Sequence, residues 1–314
     1  MIPTRQTIQE THDRIRPYIH RTPILTCQTI NDLTGADVYF KCENFQKIGA
    51  FKARGGVNAV LSLNAEQLKN GVVTHSSGNH AQAIAYAAAL VGIKAYIVMP
   101  STAPIVKKEA VLGYGATVIE CEPTLEAREA AVQKIEIQTG ATMLHPFNDY
   151  SVIAGQATAT KELIEDYEGH FDVIMVPVGG GGLLSGTALS AHYLSPTTLV
   201  IAGEPEGAAD AILSFRSGQI EKAPYINTIA DGLLTNLGTL TLPIIKQYVN
   251  DVLLVSDVEI IAAMRLIWER MKIIIEPSCA VPLAALIRNK TQFSNQKVGI
   301  ILTGGNVDLG KLPF

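Results

Sequence analysis

A run of four glycines near the middle of the chain could bind an anion. Residues 176–186 read Val-Pro-Val-Gly-Gly-Gly-Gly-Leu-Leu-Ser-Gly, so an apolar strand leads into the glycines and a helix follows them. Glycines at the start of a helix leave its backbone N–H groups open to close approach, and phosphate is the usual guest there. A flexible turn is the alternative, but the flanking strand and helix favour a phosphate site.

The glycine loop alone leaves the phosphate ligand open. A Walker nucleotide loop requires Gly-Lys-Ser/Thr at the helix start, whereas these glycines lead into Leu183 and Leu184. A dinucleotide fingerprint fits better, because Gly180 and Gly182 follow a strand and a ribose-binding acid could be Glu204, about 20 residues further on. The third glycine of that fingerprint is misplaced. Taken alone, the loop permits a nicotinamide-dependent dehydrogenase.

A lysine with unusual neighbours stands nearer the N-terminus. Residues 49–56 read Gly-Ala-Phe-Lys-Ala-Arg-Gly-Gly, so Lys52 lies beside Phe51, between glycines and just before a predicted helix. A lysine that meets a planar aldehyde in such a place can lose its proton and form a Schiff base. Most lysines are ordinary surface residues, so this segment predicts chemistry only together with the others.

Two further segments carry polar side chains at the ends of predicted strands. Residues 74–80 read Thr-His-Ser-Ser-Gly-Asn-His at the start of a helix, and residues 302–306 read Leu-Thr-Gly-Gly-Asn. Serine or asparagine before a helix is often only a cap. Two hydroxyls, an amide and free helix N–H groups can also bind a carboxylate. The first segment is therefore either a cap or a carboxylate site, and the second ends at the same edge of the sheet.

The elements that must position these segments alternate along the chain. Several strands are apolar throughout, which is typical of parallel sheets covered by helices on both faces, so the predicted fold class is α/β. The predicted strands are 38–41, 72–75, 95–99, 117–121, 173–178, 199–203, 252–255 and 298–302. The predicted helices are 53–63, 79–91, 104–112, 125–138, 152–167, 183–193, 257–272 and 282–289, with another near the N-terminus.

No linker or repeat divides the chain, but the elements group into two units. Residues 71–149 are predicted to form a small domain around three or four strands, and residues 1–70 and 150–314 a large domain. Ligands of such α/β proteins usually bind in a cleft at the carboxyl ends of the strands.

Composition excludes several classes of function. The 314 residues are 47% hydrophobic, enough for a sizeable core, and the net charge of −4 gives no basic field for nucleic acid. No apolar run approaches the roughly 20 residues that cross a bilayer, and the N-terminus has no apolar leader. The four cysteines are scattered, which is typical of reduced thiols in a cytoplasm. We expect a cytoplasmic protein that binds neither nucleic acid nor membranes.

Together and in this order, the four segments resemble the serine/threonine dehydratase and serine racemase family of fold-type II pyridoxal phosphate enzymes. The resemblance extends from residues 20–23, His-Arg-Thr-Pro, to residues 303–308, Thr-Gly-Gly-Asn-Val-Asp. It implies a tryptophan synthase β-like fold of two open α/β lobes with mostly parallel sheets, and an active site in the cleft between them. The dehydrogenase alternative, which accounts for none of the other segments, becomes remote.

The resemblance implies a role for each segment. Lys52 would hold pyridoxal 5'-phosphate as a Schiff base, Phe51 would pack on its ring, Asn79 would hydrogen-bond its ring hydroxyl and Thr303 its pyridine nitrogen. Its phosphate would be bound by the backbone N–H groups of Gly179, Gly180, Gly181, Gly182 and Leu183. The substrate carboxylate would be bound by Ser76, Ser77, Asn79, His80 and Arg128. Many members have serine at the positions of Ala50 and Thr303, and threonine keeps the hydroxyl.

The resemblance implies two related reactions. Lys52 would take the Cα proton of a small hydroxy-amino acid, and a hydroxyl at Thr303 would favour loss of the β-hydroxyl. We expect a dehydratase that converts L-serine or L-threonine to a 2-oxo acid and ammonia. Ser77 stands where racemases of the family carry their second proton donor, so serine racemase with dehydratase side activity is an alternative, and threo-3-hydroxyaspartate dehydratase is another. Asp231 matches a position that could tune elimination.

Further expectations concern ions and partners. Glu204, the carbonyl of Ala208 and Asp210 match the divalent-cation site of such enzymes, and oxygen ligands suit Mg²⁺, Ca²⁺ or Mn²⁺. An acidic helix start is the alternative. The family also implies a homodimer. The resemblance also suggests an ATP effector, because Lys47, Tyr114 and Asn306 match parts of the nucleotide site of animal serine racemases.

Overall fold

The strands form two separate sheets in the computed structural model, which describes residues 1–103 and 105–314. Within those residues the strands are β1 (Ile24–Thr26), β2 (Asp37–Cys42), β3 (Val72–His75), β4 (Ala95–Pro100), β5 (Thr117–Cys121), β6 (Thr142–Met143), β7 (Val173–Pro177), β8 (Leu199–Pro205), β9 (Asp251–Val255) and β10 (Lys297–Leu302). Each predicted strand is present, and the prediction missed β1 and β6.

Helices connect most of these strands. They are α1 (Arg5–Ile15), α2 (Gln28–Thr34), α3 (Lys52–Leu61), α4 (Ala65–Asn70), α5 (Asn79–Val91), α6 (Ile105–Gly113), α7 (Leu125–Thr139), α8 (Tyr150–Asp166), α9 (Gly182–Leu194), α10 (Ala211–Ser217), α11 (Thr241–Tyr248), α12 (Asp257–Met271) and α13 (Pro277–Arg288). The prediction missed the short helices α2, α4, α10 and α11, and the predicted start of α6 at Pro104 lies outside the described residues.

The larger sheet has the strand order β1-β2-β10-β7-β8-β9. Its pairs are parallel except for the antiparallel edge pair of β1 with β2. Alternate residues of the central strand β7 belong to different apolar clusters, with Met175 in one and Ile174 and Val176 in the other. Helices therefore cover both faces of this sheet, which confirms the α/β prediction.

The smaller sheet has the order β5-β4-β3-β6 and is parallel throughout. All of its strands come from residues 72–143. On this basis we propose that residues 71–149 form a small domain and that the remaining residues form a large domain. We call the two groups of elements the small lobe and the large lobe.

A buried ion network holds α3 against the end of β2 and against α8. The Arg54 guanidinium donates to both carboxylate oxygens of Glu43, at 2.7 and 2.8 Å, and to both oxygens of Glu162, at 2.9 and 2.8 Å. Lys41 Nζ lies 2.8 Å from Glu162, and its side chain is fully buried, as is that of Arg54. These hydrogen bonds and cations lower the pKa of Glu162 well below its usual range, against the opposing effect of burial. The network joins the end of β2, the start of α3 and the middle of α8.

None of the helices within the described residues is long and apolar enough to cross a membrane. All four cysteines, each in the described part of the chain, are free thiols.

Removing Arg54 should destabilise the fold strongly. Arg54→Met leaves Glu43 and Glu162 buried without their shared cation, a change that costs about 3–5 kcal/mol. Urea denaturation should show this loss in the free energy of unfolding. The matched control is Arg265→Met, whose ion pair with Glu269 is about half exposed and should change stability by about 0.5 kcal/mol or less. Equal effects of the two substitutions would contradict a structural role for the network.

Candidate active site

The amine of Lys52 lies at the first turn of α3 in a half-buried position. Nζ donates a hydrogen bond of 2.7 Å to the carbonyl of Pro146 and lies 5.3 Å from the centre of the Phe51 ring. Burial of the amine lowers the pKa of Lys52 to about 8, because a low-dielectric environment disfavours the charged form. An amine with this pKa is partly neutral near pH 7 and can act as a nucleophile or a base.

The four glycines form a cradle at the N-terminus of α9. Gly181 has φ +86°, a conformation that favours glycine, and is the N-cap of α9. A Cβ atom at Gly180 would lie 2.3 Å from the Phe147 ring, and one at Gly179 would lie 3.0 Å from the backbone of Leu233. Only glycine therefore fits this loop, and its backbone N–H groups remain open at a helix N-terminus, as an anion site requires.

The end of β10 is tied to the start of α3. Phe51 N donates 2.9 Å to the carbonyl of Thr303, and Ala50 forms an isolated bridge with Gly304. Thr303 is 3% exposed and lies near the buried thiol of Cys279. The structure therefore brings Thr303 next to the Lys52 segment, from which about 250 residues separate it in the sequence.

The segment between β3 and α5 is placed as a carboxylate site would be. Ser76 Oγ accepts from Gly78 N at 3.2 Å, while Ser77 Oγ has no hydrogen-bond partner among the described residues. The N-cap of α5 is Gly78, which contributes no side-chain cap. The backbone N–H groups at the start of α5 are therefore not consumed by a serine cap, and the cap interpretation of these serines is wrong.

The ring of His80 is not available to donate to a substrate carboxylate. Its Nε2 donates to the carbonyl of Leu144 at 3.2 Å, and its Nδ1 is buried without a partner among the described residues. Burial and the nearby Lys52 lower the pKa of His80 well below its usual range, so Nδ1 carries no proton. Only the backbone N–H of His80 could bind a carboxylate.

A loop that the sequence analysis did not single out covers the site from the other side. His145 Nδ1 accepts from Asn148 N at 2.9 Å and from Phe147 N at 3.3 Å, so its remaining proton is on Nε2. Burial lowers the pKa of His145 to about 4. The same loop supplies the Pro146 carbonyl for Lys52 and the Phe147 ring for the glycine cradle. A histidine beside a proline after β6 could have marked this loop in the sequence. The loop escaped notice because β6 has only two residues and was itself not predicted.

Asn79 meets two residues of the large lobe. Its Nδ2 donates 2.8 Å to Glu276 Oε1, and its Oδ1 accepts from Asn306 Nδ2 at 2.8 Å. Glu276 is 7% exposed, and burial together with Asp231 raises its pKa to about 8. The sequence analysis missed Glu276, because a single acid before a proline forms no motif.

The predicted cation ligands lie between the end of β8 and the start of α10. Glu204, Ala208 and Asp210 are each no more than 2% exposed. Burial raises the pKa of Glu204 to about 8 and that of Asp210 to about 7. The Glu204 carboxylate accepts from the backbone of Ala211 at 2.6 Å and Ile212 at 2.9 Å, while Asp210 Oδ2 is buried without a partner among the described residues. Glu204 is thus buried at the start of α10, which leaves no support for a ribose contact.

Other predicted residues are less closely joined. Arg128 is half-buried on α7 and donates to the Thr124 carbonyl at 3.2 Å, and its charge contributes to lowering the pKa of His75, which burial already lowers. It therefore lies near the segment between β3 and α5. Tyr114 packs on the ring of Tyr86 in the small-lobe core. Asn306 lines a small cavity of about 400 Å³ near Phe45 and Lys272, and neither Lys47 nor Tyr114 lines it.

An ion pair joins the lobes at the mouth of the site. Lys107 Nζ on α6 lies 2.8 Å from Asp231 Oδ2. Two residues after Asp231 comes Leu233, whose backbone packs against Gly179 of the cradle. The small lobe therefore contacts the segment that closes on the glycine loop.

The comparisons with known proteins agree with this geometry. The family model described as pyridoxal-phosphate dependent enzyme matches residues 15–304. The chain belongs to this family. A "beta-hydroxyaspartate dehydratase" of Paracoccus denitrificans is 50% identical over 100% of this chain and 99% of the relative. A "serine racemase" of Dictyostelium discoideum is 53% identical over 98% and 96%. The solved structure of maize "serine racemase" is 44% identical, with a TM-score of 0.96, and the match covers 99% of this chain and 95% of that one.

The family resemblance and the two-lobed α/β fold inferred from the sequence are thus confirmed, and the protein is a pyridoxal-phosphate-dependent enzyme. The site fits that cofactor, because it offers a partly neutral lysine, a glycine cradle that any Cβ would fill, and a hydroxyl at Thr303. The cradle suits a phosphate, whereas the dinucleotide alternative has no remaining support.

Loss of the interlobe ion pair should loosen the segment that closes on Gly179. Lys107→Ala removes a partly exposed pair worth about 0–1 kcal/mol, so amide hydrogen exchange in residues 229–237 should accelerate by up to about fivefold. The matched control is Lys108→Ala, because Lys108 pairs with Glu120 inside the small lobe. If both substitutions left residues 229–237 equally protected, the pair would not hold this segment.

Proposed function

We propose that the protein is an ammonia-lyase that dehydrates L-serine and L-threonine to a 2-oxo acid and ammonia. The observation that carries this proposal is the Lys52 amine, whose pKa is lowered to about 8 by burial and which lies between Phe51 and the Pro146 carbonyl. A hydroxyl rather than a carboxylate at Thr303 supports elimination over transamination. The relative named as a dehydratase supports the same class of reaction.

In this proposal Lys52 and Phe51 hold the cofactor ring, and the N–H groups of Gly179, Gly180, Gly181, Gly182 and Leu183 hold its phosphate. Asn79 would donate to the ring hydroxyl and Thr303 to the pyridine nitrogen. When bound, pyridoxal phosphate supplies an electron sink for the bonds broken at Cα and Cβ. The protein's own contribution is to orient the substrate and to move protons.

Substrate orientation falls to the start of α5. The backbone N–H groups there, with the hydroxyls of Ser76 and Ser77 and the charge of Arg128, receive the substrate carboxylate. His80 contributes its backbone N–H, since its ring has no proton to offer on Nδ1. The carboxylate so placed presents the Cα proton to the free amine of Lys52, which acts as the general base. The proton that Lys52 takes from Cα and the departing β-hydroxyl together would make up the water that is lost, and one water would then hydrolyse the dehydrated product to the 2-oxo acid and ammonia.

Serine racemase is the second candidate. It is favoured by the Ser77 hydroxyl, which has no hydrogen-bond partner among the described residues and is free to give a proton to Cα, and by the relative of that name. Dehydration of threo-3-hydroxyaspartate is a third candidate, favoured by the β-hydroxyaspartate dehydratase that matches the whole chain. The three differ in the group at Cβ and in the fate of the Cα carbanion.

A single incubation separates these candidates. The purified enzyme is given L-serine, L-threonine or threo-3-hydroxyaspartate, and the 2-oxo acid and D-serine are quantified together. Rapid 2-oxo acid formation from serine and threonine supports the proposal. A preponderance of D-serine would make the enzyme a racemase, and turnover of hydroxyaspartate alone would select the third candidate. Borohydride should fix the cofactor to Lys52, and Lys52→Ala should abolish turnover of every substrate.

Ser77→Ala distinguishes a proton donor from a carboxylate ligand. If Ser77 protonates Cα, we expect the substitution to lower D-serine formation at least about tenfold more than pyruvate formation, because general acid catalysis typically contributes about 10²–10⁴-fold. Ser76→Ala serves as the matched control, because it removes the neighbouring hydroxyl, and it should reduce both products alike. An equal loss of both products in Ser77→Ala would show that Ser77 only binds substrate.

We also propose that Glu204, Asp210 and the Ala208 carbonyl bind a divalent cation, Mg²⁺, Ca²⁺ or Mn²⁺. Two buried carboxylates repel each other and prefer protons unless a cation compensates them, and the unpartnered Asp210 Oδ2 is a suitable ligand. Oxygen ligands of this kind suit hard cations. This cation would support the segment between β8 and α10 and takes no part in the chemical steps.

Mg²⁺ should stabilise the enzyme more at pH 8 than at pH 6. The pKa values of Glu204 and Asp210 are raised above those of the unfolded chain, so the metal-free folded state holds extra protons and loses stability as pH rises from about 4 to 8. Mg²⁺ replaces those protons. The measurement is the Tm with EDTA and with Mg²⁺ at both pH values. Asp210→Asn should abolish the Mg²⁺ response, and Glu206→Gln, which alters a neighbouring exposed acid paired with Arg288, should retain it. A response that survives in Asp210→Asn would refute this site.

Three further expectations remain proposals. A homodimer rests on the family, a cytoplasmic location on the free thiols, and an ATP effector on Lys47, Tyr114 and Asn306. Asn306 forms a hydrogen bond with Asn79, and the cavity that Asn306 lines is lined by neither Lys47 nor Tyr114. Nucleotide binding is therefore the least supported of the three.

A further inference from the structure

We propose that Glu276 is a positioning residue, which holds the Asn79 amide so that one of its N–H groups faces the cofactor's ring hydroxyl. The inference rests on the role proposed above for Asn79 and adds the residue that makes this role possible.

The hydrogen bonds around Asn79 fix which way its amide faces. Asn306 Nδ2 donates both to the Ile48 carbonyl, at 2.8 Å, and to Asn79 Oδ1, at 2.8 Å. Asn79 Oδ1 is thus the acceptor, and Asn79 Nδ2 is the atom that donates to Glu276 Oε1. An amide nitrogen has two hydrogens, and Glu276 takes one of them. The second N–H remains for the oxygen of the ring hydroxyl.

Glu276 is itself held rigidly. It precedes Pro277, which occupies the first turn of α13, and its backbone N–H donates 3.0 Å to the Gly304 carbonyl. A Cβ atom at Gly304 would lie 2.6 Å from Glu276 Oε1, so the glycine after Thr303 makes room for this carboxyl. The carboxyl therefore lies against the same strand end that supplies the Thr303 hydroxyl.

The contact also crosses between the lobes. Asn79 is the first residue of α5 in the small lobe, whereas Glu276 and Asn306 belong to the large lobe. A large-lobe carboxyl thus sets the orientation of a small-lobe amide at the point where the cofactor ring must lie. Rotation of that amide by half a turn would present a carbonyl oxygen where a donor is required.

Stability does not account for this acid. Glu276 is almost fully buried and forms no salt bridge with any described residue, and burial of an unpaired carboxyl costs free energy. Its charged neighbours are Asp231, which raises its pKa further, and Lys107, which lowers it. Residues that break the rules of stable packing are expected at functional sites. Its hydrogen bond to Asn79 is the interaction that gives the carboxyl a function.

A double-mutant cycle on the holoenzyme tests the proposal. The variants are Glu276→Ala, Asn79→Ala, the double variant and Glu276→Gln, whose side-chain oxygen can still accept from Asn79. The readouts are the visible absorbance of the bound cofactor, the affinity of the apoenzyme for pyridoxal phosphate, and kcat and KM. We expect each alanine variant to shift the absorbance and to lower kcat about tenfold, which corresponds to about 1.4 kcal/mol in the activation free energy. The double variant should match Asn79→Ala within about twofold, because Glu276 acts through Asn79.

Rescue and failure are both measurable. Glu276→Gln should restore the wild-type absorbance and most of kcat. The proposal is overturned if Glu276→Ala leaves absorbance and cofactor affinity unchanged, or if the two alanine effects multiply in the double variant. Should Glu276→Ala not fold, Asn306→Ala releases the other side of the amide and should give the same shift, whereas an unchanged absorbance there overturns the proposal. Failure of the proposed function is separate, since wild-type enzyme would then take up cofactor without turning over any hydroxy-amino acid.

Discussion

The buried guanidinium of Arg54 is the constraint on which the site depends. It is two residues from Lys52 on the same helix, and it is bound on both sides by carboxylates, Glu43 at the end of β2 and Glu162 on α8. Four charge-assisted hydrogen bonds to these carboxylates leave this helix no freedom to rotate or slide. The start of α3, and hence the Lys52 amine, is therefore fixed relative to the larger sheet. The motif that carries the reactive lysine contains its own anchor.

Close packing of small residues brings the other segments to that anchored lysine. Gly180 allows the Phe147 ring to lie against the cradle, and Gly304 allows the Glu276 carboxyl to lie against the end of β10. In both places a methyl group would collide with a residue that the site requires. The glycines therefore have two functions. They expose backbone N–H groups to an anion, and they let distant parts of the chain meet within one cleft.

The hydrophobic pattern of the sequence predicted the long helices and strands well. The four segments with candidate active-site residues lie on these elements. The sequence could not predict β6, because two residues give no periodicity, and the prediction began α13 at Pro282. Pro277 holds this position instead, with Pro282 inside the helix. Glu276, Pro146 and Lys107 escaped notice for another reason. Their partners Asn79, Lys52 and Asp231 lie 197, 94 and 124 residues away in the chain, and no motif marks such a contact.

The buried acids show how one chemical group serves stability in one place and function in another. Glu162 lies between Arg54 and Lys41, its pKa falls, and its charge strengthens the fold. Glu204 and Asp210 lie together without a cationic side chain among the described residues, so burial raises both pKa values and each gains from a proton or a cation. Glu276 resembles Glu204 and Asp210 in its raised pKa, but its partner is the neutral amide of Asn79, which it can orient. A raised pKa thus distinguishes these three carboxyls from Glu162, whose charge strengthens the fold.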